Sequence, residues 1–224
     1  MEYLLKGGIF MWPILAISVA VLALVLERVF ALWLRYRLDE QGFLRGILNA
    51  VDQQDFAGAL EECAREAQSP LARVCRAGLL KAHRRDREIE SAMEEEMLRA
   101  VPQIRKRISY LSSLANIATL LGLLGTIQGL IQAFEGVGVA DAATRQEILA
   151  QGISVAMLTT AFGLIVAIPT LMAHSLLQGR ATRMIESVEE KALALFNRIS
   201  ALHRDLETSD VKLRMKAVEG GRRG

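Results

Sequence analysis

Thr126, Thr159 and Thr160 stand in stretches of this chain that carry no formal charge. Thr126 lies in residues 108–134, together with Gln128 and Gln132, and the other two lie in residues 148–179. Hydroxyls and amides placed there can line a hydrated path or meet a polar partner, because a polar group left facing lipid is costly. Thr159 and Thr160 can also each bond a carbonyl of their own helix, which needs no partner. His174 is the one titratable group in 148–179, and its place near the end of the stretch suits an interface better than a proton relay. Neither stretch holds a carboxylate. A group that carries protons through a membrane must be ionised in water and neutral in a dry site, so in a proton path the acid has to come from another protein.

The elements that position these residues are membrane helices. Residues 7–26, 108–134 and 148–179 lack Asp, Glu, Lys and Arg, and each meets the length of about 18 residues needed to span a bilayer. The first run ends at Glu27 and Arg28 and resumes through 29–34, which reads as a membrane helix with Trp33 at the interface, not a cleaved leader. At about 1.5 Å per residue the second and third runs reach roughly 40 and 48 Å, longer than a hydrocarbon core of about 30 Å. Arg35, Arg37 and Arg45 follow the first span, Arg99, Arg105, Lys106 and Arg107 precede the second, and Arg180, Arg183 and Lys191 follow the third. Only Lys6 precedes the first span, and only Arg145 lies between the second and third. The positive-inside rule therefore predicts an N-terminus outside the cell and a large loop and C-terminus in the cytoplasm.

The fold class expected is all-α: a polytopic membrane protein with three transmembrane helices, long helices extending into the cytoplasm and a helical cytoplasmic loop domain. Residues 1–34 supply a periplasmic N-terminus and the first span, 35–107 the loop, 108–134 the second span, 135–147 a short periplasmic connection, 148–179 the third span, and 180–224 a C-terminal helix with a disordered tail. In the loop, Asp52 or Asp55 is placed to cap a helix carrying Phe56, Ala59, Leu60 and Cys63, Ser69 and Pro70 end it, and Asp86 starts a long helix that runs past Pro102 straight into the second span. Ile185, Val188, Ala192, Leu195, Phe196 and Ile199 form an apolar stripe after the third span. The charge runs at Arg84–Arg85 and 94–96 read as solvated faces or as a face for a partner. Cys63 and Cys75, twelve apart with no histidine pattern nearby, suit packing and make neither a zinc site nor a cytoplasmic disulfide.

Within the spans, Gly122, Gly125 and Gly129 sit at three- and four-residue steps, and so do Ala156, Thr160, Gly163 and Ala167. Such stripes let helices approach closely. Pro169 frees a carbonyl of its own helix and permits a kink. No nucleophile–base pair, metal cluster or phosphate loop is present, so no catalytic residue, cofactor or metal is expected, nor a nucleic-acid partner.

The segments GLLGTIQGLIQAF at 122–134 and GISVAMLTTAFGLIVAIP at 152–169, with LERVF at 26–30, resemble the ExbB/TolQ/MotA family of ion-driven motor subunits, and three spans favour the ExbB/TolQ arm. The resemblance covers nearly the whole chain. It implies a homopentamer around a pore in the bacterial inner membrane, threaded by an ExbD- or TolR-like single-span subunit that supplies a membrane aspartate, with a TonB- or TolA-like protein as a further partner. It also implies that Thr126 and Thr160 line the channel, with Thr159 and Val155 beside them. Val155 stands where ExbB and TolQ relatives carry a glutamate, and Thr119 where many carry proline. The function implied is the channel-forming subunit of a machine that turns proton-motive force into work in the periplasm. A non-conducting membrane scaffold for partner proteins is the alternative that Val155 favours.

Overall fold

A computed structural model of the chain describes residues 8–32, 39–141 and 143–221, with side chains described as far as 205 and at 208. Lys6, Trp33, Arg35, Arg37 and the tail residues 222–224 lie outside the described residues. Among those described, seven helices and no strand are formed: α1 (Met11–Phe30), α2 (Glu40–Asp52), α3 (Phe56–Arg65), α4 (Pro70–Leu79), α5 (Asp86–Arg105), α6 (Ile108–Val139) and α7 (Arg145–Gly221). The protein is all-α, and α1, α6 and the front of α7 are long and apolar enough to cross a membrane.

The residues fall into two compact units. One lies within Met1–Ala31 and Arg105–Arg180 and holds the three apolar helices. Its small residues turn inward: Ala115, Ala118, Gly122, Gly125, Gly129 and Ala133 of α6 are all buried. Large apolar side chains of the same helices, such as Leu120, Leu123, Ile165 and Met172, face outward. A water-soluble unit of this size would bury those groups; lipid is the solvent that leaves them where they are. Ile14 of α1 meets Ala118 of α6 and Val166 of α7 in one buried cluster. At one end, Glu27 accepts hydrogen bonds from Arg28 beside it and from Arg107, which ties α1 to the start of α6.

The second unit lies within Leu32–Ile104 and Ala181–Gly224. Local chemistry starts and stops its short helices. Asp39 caps α2 by accepting from the Gly42 amide at 3.2 Å, and Asp55 caps α3 by accepting from the Gly58 amide at 2.9 Å. Pro70 occupies the first turn of α4, where its missing N–H costs nothing. One core gathers Ile47, Cys63, Leu71, Cys75 and Ile89 around Leu195 and Ile199 of α7. Full burial of each aliphatic side chain of this kind contributes about 1.5–3 kcal/mol before entropy is counted. Lys191 donates to Glu40 at 2.8 Å, and Arg198 grips both carboxylate oxygens of Asp52, fastening α2 to α7.

Two features depart from the sequence-based expectation. The helix from Asp86 does not run straight into the second span: it ends at Arg105, and Arg107 takes a left-handed backbone, φ +62°, before α6 begins. Pro102 lacks the N–H that would bond the carbonyl of Leu98, which weakens the last turn. A left-handed residue then ends the helix, a role usually given to glycine. At the other end, α7 continues to Gly221, through most of the stretch expected as a disordered tail. Residues 206–219 contain no proline or glycine and many helix formers, so the established helix propagates.

Candidate functional site

The site predicted between the second and third spans is a close antiparallel seam of α6 and α7. Glycine makes it possible. A Cβ added at Gly122 would stand 3.3 Å from the Cα of Thr160, and one at Gly125 only 2.3 Å from Cγ2 of Thr159. At Gly129 it would meet Ala156 at 3.0 Å. From the α7 side, a Cβ at Gly163 would stand 2.7 Å from the Ala118 carbonyl oxygen, and one at Gly152 2.4 Å from the Cβ of Ala133. Backbone therefore packs closely on backbone from Ala118 to Ala133 of α6. Every predicted packing glycine of the two spans lies in this seam, with Ala156 and Ala167 buried.

That closeness sets the hydrogen bonds of the threonines. Thr160 donates its hydroxyl across the seam to the carbonyl oxygen of Gly122, at 3.0 Å. It does not bond back to its own helix. Thr159 is 1 % exposed and donates to the Val155 carbonyl at 2.8 Å, its methyl seated over Gly125. Thr126, half-buried one turn along α6 from Gly122, donates to the Leu123 carbonyl at 2.6 Å. All three hydroxyl protons thus point at backbone carbonyls, and the oxygens of half-buried Thr126 and Thr160 have lone pairs to offer to a donor or a cation. Val155 is half-buried, with a methyl 3.8 Å from where a Cβ on Gly8 would stand.

Pro169 lies inside α7, which remains one continuous helix through it. Thr170, the next residue, is buried and donates to the Val166 carbonyl at 2.6 Å. His174 is half-buried. Among the described residues no group of three or more His, Cys, Asp or Glu is arranged to hold a metal ion.

Sequence reasoning did not find two parts of the seam. Ala118, Ala133 and Gly152 contribute contacts as tight as those of the named glycines. Their signal was present: residues 115, 118, 122, 125, 129 and 133 are all Ala or Gly at steps of three or four. The crossing hydrogen bond from Thr160 has no such signal, since it depends on the register of two helices.

A membrane protein of three spans, two of them locked by small residues with hydroxyls in the seam, is the class that fold and site define. Residues 66–190 match the family model described as the MotA/TolQ/ExbB proton channel family. The chain is 31 % identical to an ExbB-like biopolymer transport protein of Synechocystis sp. over 179 residues, 79 % of this chain and 70 % of the relative. It is 31 % identical to the biopolymer transport protein exbB1 of Vibrio cholerae over 186 residues, 81 % of this chain and 80 % of that one. A Tol-Pal system protein TolQ of Haemophilus influenzae is 37 % identical over 89 residues, 40 % of this chain and 39 % of the relative. The chain belongs to the MotA/TolQ/ExbB proton channel family, on its ExbB/TolQ arm.

Proposed function

We propose that this chain is the channel-forming subunit of an inner-membrane machine that couples proton flow to mechanical work in the periplasm. The observation that carries the reading is the α6–α7 seam, where Thr160 and Thr126 keep hydroxyl oxygens available within two stretches, 108–134 and 148–179, that contain no carboxylate. In this reading five copies surround a pore, and an ExbD- or TolR-like single-span subunit in that pore brings the aspartate that the chain lacks. Thr126 and Thr160 solvate the carboxyl group as it gains and loses a proton. Thr159 stands beside them, and its burial against Gly125 holds the seam from which they act. Val155, an apolar neighbour in the same stretch, adds no charge to the path. The N-terminus faces the periplasm and the C-terminus the cytoplasm, in keeping with the cations that border the spans. A TonB- or TolA-like protein receives the work. Kinship with both a biopolymer transport protein and a Tol-Pal protein supports uptake and envelope maintenance alike as the task.

Thr160→Val tests the assignment. Valine keeps the shape and removes the hydroxyl. The lost hydrogen bond costs about 0.5–1.5 kcal/mol, and the glycine contacts that lock the seam stay. The variant is expected to insert and assemble as wild type yet to fail in a proton-dependent uptake or envelope-integrity assay, while Thr160→Ser retains activity. Full activity of Thr160→Val removes Thr160 from the path. A non-conducting scaffold is the second reading, favoured by the apolar Val155. Proton flux through the complex reconstituted in vesicles separates the two.

A further inference from the structure

The seam leaves one prominent sequence feature without a role, the acidic run at 94–96. In the second unit its three members part ways. Glu95 pairs with Arg99, and Glu96 pairs with Arg73 and Arg99. Glu94 faces the other side of α5, onto an open groove of about 310 Å³ between α5 and α7. Glu90 on α5 and Glu189 on α7 line the same groove, and all three are exposed. Among the described residues none of the three makes an ion pair.

The two walls follow one pattern. On α5, Glu90, Met93, Glu94 and Met97 repeat at steps of three, one and three; on α7, Glu189, Ala192, Leu193 and Phe196 do the same. Those steps put each set on one helix face, with apolar groups deep and carboxylates toward the rim. Met93 and Ala192 are buried in the floor, Met97 and Phe196 are half-buried, and Leu193 is 58 % exposed. Two unbranched thioether side chains in the floor can repack around an incoming side chain. Glu90 and Glu94 are like charges one turn apart, which destabilises a bare helix. Among the described residues no cation forms an ion pair with either.

We propose that this groove is the docking site for a basic amphipathic helix of a separate protein, one whose apolar stripe enters between Met97, Leu193 and Phe196 while flanking Lys or Arg side chains meet Glu90, Glu94 and Glu189. The length and shape of the walls suit a helix laid into a groove, read by anchors three and four residues apart. The sign of the rim selects for basic flanks and against acidic ones. The exposed cations of α5 nearest the groove in sequence, Arg87 and Arg99, do not line it, and Arg99 pairs with Glu95 and Glu96 on another face. The inference is independent of the threonine seam.

The experiment places benzoylphenylalanine at position 193 of the full chain in its native membrane, with the same probe at exposed Leu98 as the comparison, and sequences the cross-linked peptide by mass spectrometry. The expected adduct at 193 is a segment of another protein with Lys or Arg beside apolar residues at helical spacing. Its yield is expected to fall at least tenfold when E90K, E94K and E189K are combined. If that variant does not accumulate, the E90Q, E94Q and E189Q combination keeps the shape of the rim and is expected to lower the yield as well. An adduct to this chain itself, to lipid or to a segment without basic flanks overturns the proposal. So does an adduct yield no higher than at position 98, or one indifferent to the neutral or reversed rim.

Discussion

Single side chains decide two outcomes here. The first concerns glycine. At Gly163 an added methyl would stand 2.7 Å from the Ala118 carbonyl oxygen, which is helix backbone and cannot swing aside; at Gly179 it would meet nothing within 4 Å. Gly163→Ala is therefore expected to push α6 and α7 apart, lowering the thermal midpoint of the purified protein and its activity together. Gly179→Ala is expected to raise stability by roughly 0.5–1 kcal/mol, the usual gain of alanine over glycine inside a helix. Thermal unfolding of the two variants in one detergent reads both signs, and an unharmed Gly163→Ala would mean the helices are not in backbone contact. The second outcome concerns the thiols. Cys63 and Cys75 are free and buried, and loss of hydration pushes the Cys63 thiol up to about 11 and that of Cys75 higher still. At pH 8 only about one Cys63 in a thousand is thiolate. Iodoacetamide should leave both unmodified in the folded protein and label both in denaturant, as counted by intact mass.

Among the elements, α3 and the link from α2 to α7 carry the next tests. Asp55→Ala removes the acceptor for the Gly58 amide and is expected to cost about 1 kcal/mol, while Asp55→Asn keeps most of it. The carboxyl of Asp52 lies below its ordinary value near 3.8, first because Arg198 hydrogen-bonds it and also through the charge of that guanidinium. A depressed carboxyl stabilises the fold above its unfolded pKa and loses that contribution as pH falls through the folded value. The Arg198 link therefore contributes in full at neutral pH, and its contribution declines only once pH drops below the ordinary carboxyl value toward the lower folded one. Asp52→Asn should flatten that acid limb of the pH–stability curve, with a small effect because the pair is exposed to solvent and salt. The sequence announced much at this scale. The three charge-free runs, the caps and breaks around Asp55 and Pro70, and the stripe of Ala and Gly in α6 are local patterns with local causes. What it hid depends on distant partners. The left-handed turn at Arg107 goes with a hydrogen bond to Glu27, eighty residues away. The reach of Thr160 to Gly122 exists only because two helices lie in one register.

For the molecule as a whole, the composition of the spans demands company. Small residues face inward, large apolar ones face out, and no carboxylate lies within 108–134 or 148–179. Thr126, Thr159 and Thr160 have spent their protons on backbone carbonyls, and a hydroxyl cannot carry charge through a dry site as an ionisable acid can. A chain built this way can shape and wet a path, but the titrating group has to be brought to it. Vesicles holding this chain alone are accordingly expected to keep an imposed pH gradient as well as empty ones. Vesicles holding it with a co-purified single-span subunit should dissipate the gradient, and replacing the membrane aspartate of that subunit by asparagine should restore the gradient. Thr160→Val in this chain should do the same without changing the mass of the complex, which is expected to fit five copies of this chain. Leakage through the chain alone would mean that the seam conducts by water, without a carboxylate. A tight vesicle in every combination would leave the small-residue seam as packing only and make the protein a scaffold.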